Sequence, residues 1–410
     1  MGQLTRRLAR PSTPALVLGA ALWAWAAHAL WAATSLPSLD LPHLDPHDFF
    51  TDSFLERSAT FERFLAIEGV LAWVAVLAVL AVYAKRGPQL VRESAAGRVG
   101  TGMLLAMLGF AVVWLTQVPF DLLSLWWERR YDVSHQGYVQ HLLFSFLGLG
   151  GQFVFVCVGF GIAMGLAGVM RRWWWLAVVP AFMALAVLFA FLTPYLVPDT
   201  SAIERPALKA EARALERIEG SREARLRVQD VDSFTDAPNA MTVGLGPSST
   251  VIFWDTLLNG DFSRNEVRFV LAHEIGHLAH DDTVKRLGWL TLFLLPAWGL
   301  TALLTRRRGG LARPEAIPLA LLVLVAIQFL ATPILNVAYR REEAAADWAA
   351  LQATREPATG KAVMRQLATK SLSNPDPAAW ISALYENHPP IMRRIEMAAA
   401  WESTSHSAGR

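Results

Sequence analysis

Residues 271–282, LAHEIGHLAHDD, carry two imidazoles four positions apart with a carboxylate beside the first. On a helix that spacing puts His273 and His277 on one face, able to offer ring nitrogens to one cation with Glu274 alongside. Two such histidines suit zinc, and the glutamate can serve as general base for a metal-activated water in peptide hydrolysis. A catalytic zinc needs a third protein ligand and one open position. His280, three residues beyond His277, falls off the ligand face and reads as a surface or capping residue. REEAAADW (341–348) offers a better third ligand. There Glu343 and Asp347 share a helical face, so Glu343 can ligate while Asp347 accepts a hydrogen bond from the other nitrogen of a ligand histidine, fixing its tautomer. Glu342 points about 100° away and reads as a solvated side chain. The small run Ala344–Ala346 would let this helix pack closely on the first.

Those side chains need elements to hold them. Ser263 and Glu266 form a capping-box pattern, so the motif helix should start there. RPALKAEARALERIEG (205–220) has helical composition and a stop at Gly220; 223–234 alternates like a half-buried strand; 239–246 and 249–254 read as a hairpin. Residues 336–353 are strongly helix-forming, further helices follow, and STSHSAGR (403–410) looks like a frayed tail.

These two polar stretches sit in a chain whose composition is that of a membrane protein. Of 410 residues, 54% are hydrophobic and 18% charged, against about a quarter charged in ordinary soluble domains. Seven apolar stretches are long enough to cross a bilayer, at about 14–33, 65–84, 101–125, 139–169, 174–197, 287–305 and 315–335. The first could instead be a signal peptide, but it is long for one and six more follow. Tryptophans at 123–130 and 171–176 read as headgroup-level anchors. Net charge is +2, which gives no reason to expect nucleic acid, and the single Cys157 can form no internal disulfide. The expected organisation is a five-helix membrane domain (1–198), a first polar part with the motif helix (199–286), a transmembrane hairpin (287–337), and a second polar part with the third ligand (338–410).

With these residues in hand, the chain resembles the M48 metallopeptidases, and within them the multi-pass Ste24-like CAAX prenyl proteases. LAHEIGHLAHDD is similar to the family zinc helix and REEAAADW to its Glu-x-x-Ala-Asp element. APNAMTVGLG…VIFWDTLL resembles the segment ahead of that helix, 118–136 a family loop after the third span, and SLSNPDPAAWISALYENHPPIMRRI the C-terminal His-Pro segment. The resemblance implies an α-helical integral membrane protein: seven transmembrane helices around a chamber, with a small α+β zinc metalloprotease domain split by the hairpin. It implies zinc held by His273, His277 and Glu343, Glu274 and Asp347 in catalysis, and substrate extended along Asn239 and Ala240. His388 would contact substrate or the developing oxyanion, and Arg394 would brace the site. Glu68, Asp121 and Gln152 would line the chamber or hydrogen-bond between helices. Asp132 departs from the family, which usually has Gly there.

The implied partners are the bilayer and a peptide or protein substrate, membrane-associated or prenylated. Alternatives are a membrane-protein quality-control protease without prenyl specificity, a zinc-domain sensor or scaffold, and a transporter. An intramembrane protease is excluded by the polarity of 263–286. Composition suggests a bacterial inner membrane. The family places the zinc domain on the cytosolic side, yet thirteen Lys and Arg lie in short segments at the other end of the spans. Four, Arg57, Arg63, Arg129 and Arg130, lie in short loops on the zinc side. Charge therefore favours an outward zinc domain, and the sequence leaves the side open.

Overall fold

The computed structural model describes residues 13–93 and 96–408. Arg6, Arg7 and Arg10 and the last two residues of the tail lie outside the described residues. The chain begins with α1 (Thr13–Ala32), α2 (Asp52–Arg86), α3 (Gly97–Arg130), α4 (Tyr138–Met170) and α5 (Trp174–Leu196). Next come β1 (Thr200–Ala202), α6 (Pro206–Glu219), β2 (Arg225–Gln229), β3 (Ala240–Val243), β4 (Thr250–Trp254), a one-turn α7 (Asp255–Leu258) and α8 (Arg264–Ala279). α9 (Asp282–Thr305) and α10 (Ile317–Thr354) form the hairpin, and α11 (Pro357–Ser371), α12 (Ala379–Tyr385) and α13 (Ile391–Ala408) complete the chain.

Among the described residues, six helices, α2 to α5, α9 and α10, are long and apolar enough to cross a membrane, and Val17–Ala32 of α1 is a shorter apolar stretch. The protein is a multi-pass membrane protein. α10 does not end with its apolar part. It runs unbroken from Ile317 to Thr354, so the boundary expected near residue 337 falls inside one helix. Pro119, Pro180, Pro194, Pro296 and Pro333 all sit inside apolar helices, where neighbouring helices and local adjustment can satisfy the carbonyls they free.

Two apolar cores result. One lies among the membrane helices around Leu80, Met164, Val178, Trp298 and Ile317. Trp174, expected as a headgroup anchor, is instead buried there, its ring edge-on to Trp298 at 5.9 Å. A ring at a helix start can turn inward when a facing helix supplies an aromatic partner. The other core lies under the motif helix and joins Leu215, Phe253, Leu271, Ile275, Leu351 and Ile395. Leu39, Leu41, Leu44 and Phe50, from the connection between α1 and α2, pack into it as well.

The four-stranded sheet has the order β1-β2-β4-β3, with β2 parallel to β4 and the other pairs antiparallel. The expected hairpin is β3–β4, and it leaves β3 at the edge. α6 stops where Gly220 takes φ +70°, a left-handed conformation that glycine adopts without strain. Asp132 also adopts a positive φ, 60°. This is the conformation glycine would favour, and aspartate is among the few side chains that tolerate it.

α8 starts where the pattern required. Ser263 Oγ accepts from Glu266 N–H, and Glu266 Oε2 accepts from Ser263 N–H at 2.7 Å. It then packs on α10 at very short range: a Cβ on Gly276 would lie 3.3 Å from Ala346 Cα. Gly276 and the Ala344–Ala346 run therefore fix the distance between the two helices that bear the candidate ligands. We expect Gly276→Ala to be tolerated with a small shift and Gly276→Val to cost about 1–3 kcal/mol from overpacking. Thermal unfolding and metal content of the two variants check this; a valine variant with wild-type values for both would contradict it.

Candidate metal centre

α8 presents His273, Glu274 and His277, and α10 presents Glu343 and Asp347, across the contact just described. His273 Nε2 lies 3.3 Å and His277 Nε2 3.5 Å from Glu343 Oε2. Each imidazole is held from behind. His273 Nδ1 donates to Asp347 Oδ1 at 2.9 Å, and His277 Nδ1 donates to Asp282 Oδ2 at 2.8 Å. With both Nδ1 atoms acting as donors, both Nε2 lone pairs face Glu343 in the neutral tautomer. Glu343 Oε2 is buried and has no hydrogen-bond partner. Two imidazole nitrogens and a carboxylate oxygen converging without a donor between them are a donor set that fits a divalent cation such as zinc.

The surrounding groups are fixed in turn. Arg394, its side chain 9% exposed, donates from Nε and Nη2 to the two oxygens of Asp347, each at 2.7 Å. Arg286 donates to Glu343 Oε1 and to Glu342 Oε2, both at 2.9 Å. Glu342 is therefore not the solvated residue expected. It is 1% exposed because α9 covers the side of α10 to which it points. Thr242 Oγ1 of β3 lies 2.8 Å from both Glu274 Oε2 and Glu274 O. His388 Nε2 approaches Glu343 Oε2 at 3.1 Å while its side chain is 51% exposed, so it faces the open side of the cluster. His280 is the C-cap of α8.

Asn239 and Ala240 line the same cleft as His273, Glu274 and His388. Trp254 N–H donates to Asn239 O at 2.9 Å. Antiparallel pairing alternates, so Ala240 and Thr242 turn their main-chain groups away from β4, toward the open edge. Beside this edge Leu257, Phe269, Val363 and Met364 form an apolar recess.

Three positioning residues carried no signal of their own in the motifs. Asp282 follows His277 by five residues, outside helical register, and reaches it only because the chain turns between α8 and α9. Thr242 and Arg286 come from β3 and α9. Of the chamber candidates, Glu68 accepts from Ser124 Oγ at 3.0 Å, a bond between α2 and α3, and Gln152 is exposed.

With this geometry set out, the likeness to known proteins is direct. Residues 207–402 match the sequence profile of Peptidase family M48. Over those residues the chain is similar to that family. It is 27% identical to the uncharacterized metalloprotease YhfN of Bacillus subtilis over 57% of this chain and 58% of that protein. It is 31% identical to a protease HtpX homolog of Acidiphilium cryptum over 41% of this chain and 65% of the relative, and 27% identical to a CAAX prenyl protease 1 homolog of Oryza sativa over 42% of each. The chain thus spans less than two thirds of these relatives. The fold extends further than the sequence likeness. The solved structure of S. mikatae Ste24p superposes with a TM-score of 0.69 at 17% identity, covering 93% of this chain and 97% of that one. Peptidase family M48 implies a bound metal, and His273, His277 and Glu343, expected from the sequence to hold one, converge here.

Burial alone would lower the His273 imidazole, but its hydrogen bond to Asp347 and the neighbouring Glu343 carboxylate outweigh it and push it up to about 9. His277 is also raised, the charge of Glu343 outweighing burial. A cation must displace those protons, so affinity falls as pH drops below about 9, and metal binding releases protons. Calorimetric titration in two buffers of different ionisation enthalpy reads the release; a buffer-independent heat would contradict it. Asp282→Asn should lower metal affinity about 10–100-fold through loss of the His277 orienter. A chelator competition assay measures that loss, and unchanged affinity would remove Asp282 from the site.

Proposed function

We propose that the protein is a zinc-dependent endopeptidase of a bacterial inner membrane, acting on membrane-associated polypeptides. The observation that carries this is the convergence of two oriented imidazoles on Glu343 Oε2 with Glu274 at the open side, beside a free strand edge. In this reading, 199–286 and 338–410 form one metal-binding unit interrupted by the hairpin.

His273, His277 and Glu343 would hold zinc, which when bound polarises a scissile carbonyl and acidifies water. Substrate adds to β3 as an extended strand, its main chain pairing with Ala240 and Thr242 next to Asn239. The apolar recess receives one of its side chains. Glu274, oriented by Thr242, takes the proton of the attacking water and passes it to the leaving amine. His388, half-exposed next to Glu343, donates to the substrate carbonyl oxygen as negative charge develops on it. Asp347 and Arg394 act through His273, holding its ring and tautomer.

Whether the substrate bears a prenyl group is a separate question. The CAAX prenyl protease name belongs to one relative, and protease HtpX to others. No residue of the cleft has a chemistry specific to an isoprenoid, and a quality-control protease without prenyl specificity fits the same site.

Detergent-purified protein offered a farnesylated CAAX-type peptide and its unprenylated twin tests both points. We expect Glu274→Gln to keep its metal and lose cleavage. We expect His388→Ala to keep its metal and lose about 10²–10³ in turnover, as for loss of one oxyanion donor. Metal-loaded wild type that is as inert as Glu274→Gln on both peptides would overturn the protease reading. Equal cleavage of the twins would remove the lipid from recognition.

A further inference from the structure

His388 reaches the candidate metal centre on a carrier that cannot hold itself. Its ring is half-exposed, so the backbone on either side must set its place. Downstream, Pro389 and Pro390 restrict that backbone to extended conformations and lead directly into α13. Upstream lies α12, only seven residues long, in which Ile381 alone is buried. An isolated helix shorter than about 12 residues is marginal in water. Something outside α12 must therefore fix it.

Two side chains of α10 do so. Arg340 Nη1 donates to Ser382 O and to Glu386 O, each at 2.6 Å, and Asn336 Nδ2 donates to Ala383 O at 3.1 Å. These carbonyls belong to the last turn and the C-cap of α12. Carbonyls there lack full pairing within the helix and form its negative end, which a guanidinium complements. α2 supports the same segment: a Cβ on Gly69 would lie 2.9 Å from Tyr385 Oη, and Asn374 Nδ2 donates to Glu62 Oε2 at 2.9 Å. Asn336, Arg340, Glu343 and Asp347 follow one another at intervals of four, three and four residues. At about 3.6 residues per turn, they fall within about 60° of one another around α10. One stripe of one helix thus holds the carrier of His388, the candidate ligand Glu343 and the carboxylate that orients His273. His388 Nε2 ends 3.1 Å from Glu343 Oε2.

We propose that Arg340 and Asn336 are positioning residues for His388, clamping the end of α12 to α10 so that the imidazole stands where charge develops on the substrate carbonyl oxygen. The role of His388 rests on the protease reading above; what holds it rests on the hydrogen bonds alone. Neither Arg340 nor Asn336 lines the cleft, so both act through the backbone they bind. A displacement of about 1 Å at a reacting centre costs about 10²-fold in rate even when its cause lies away from the chemistry.

The test uses full-length protein in detergent and reads metal content, cleavage of the farnesylated and unprenylated peptides, and amide hydrogen exchange over residues 379–388. We expect Arg340→Ala to keep its metal and its KM and to lose about 10²-fold in kcat. Its amides at 379–388 should exchange faster while those of α8 keep their rate. In Arg340→Ala/His388→Ala the loss should match that of His388→Ala within about twofold, because a residue acting only through His388 has nothing left to place. One nitrogen makes both Arg340 bonds, so Arg340→Lys should recover part of kcat. Losses that multiply in the double variant, a fall in metal content, a raised KM at unchanged kcat, or unchanged exchange would overturn the proposal. Should Arg340→Ala not fold, Asn336→Ala, which removes a single bond, is expected to give the same pattern with a smaller fall in kcat. Metal-loaded wild type as inert as Glu274→Gln would sink the protease reading, and exchange alone would then decide whether α10 holds the segment.

Discussion

Close packing of α8 on α10 is the constraint from which the rest follows. A ligand triangle with its oxygen 3.3 and 3.5 Å from two ring nitrogens tolerates little play. Those atoms come from helices separated in sequence by a membrane hairpin. Gly276 and Ala346 allow backbone contact there because neither puts a bulky side chain between the axes. A larger residue at either position would move Glu343 away from the imidazoles before it touched any ligand. The strand edge, the apolar recess and the orienting carboxylates are all disposed around that contact.

Polarity around the contact is arranged in two chains of hydrogen bonds. One runs from Arg394 through Asp347 to His273, the other from Lys285 through Asp282 to His277. Each places a cation behind a carboxylate, and the carboxylate behind a ring. Buried carboxylates are costly unless paired, and here Arg394 keeps Asp347 ionised, while His277 and then Lys285 do the same for Asp282. Both rings are thereby held in the tautomer a metal requires. Glu343 is treated differently: Arg286 occupies one oxygen and leaves the other bare.

Much of this was legible in the chain. Local rules were enough for the capping box at Ser263, the stop at Gly220, the β3–β4 hairpin and the apolar stretches, since each depends on residues near in sequence. Glu343 and Asp347 could be read because they share a helical register with each other. Asp282, Thr242 and Arg286 could not, because their roles arise from where α9 and β3 land on α8. Glu342 was misread for the same reason. Helical geometry correctly turns it away from Glu343, but only the packed structure reveals that α9 lies on that side with Arg286. Trp174 shows the same limit in the membrane, since an aromatic at a helix start looks alike whether it faces headgroups or another ring.

The unbroken course of α10 makes the protein a ruler. One helix carries both the last apolar turn, near residue 335, and the candidate ligand Glu343. At 1.5 Å per residue the metal centre stands about 12 Å along the helix axis beyond the apolar span. No hinge or loop intervenes to vary that height. For the proposed protease, a substrate held in the same bilayer would be measured from its own point of emergence, and the bond within reach would be set by distance from the membrane as much as by the side chains on either side of it.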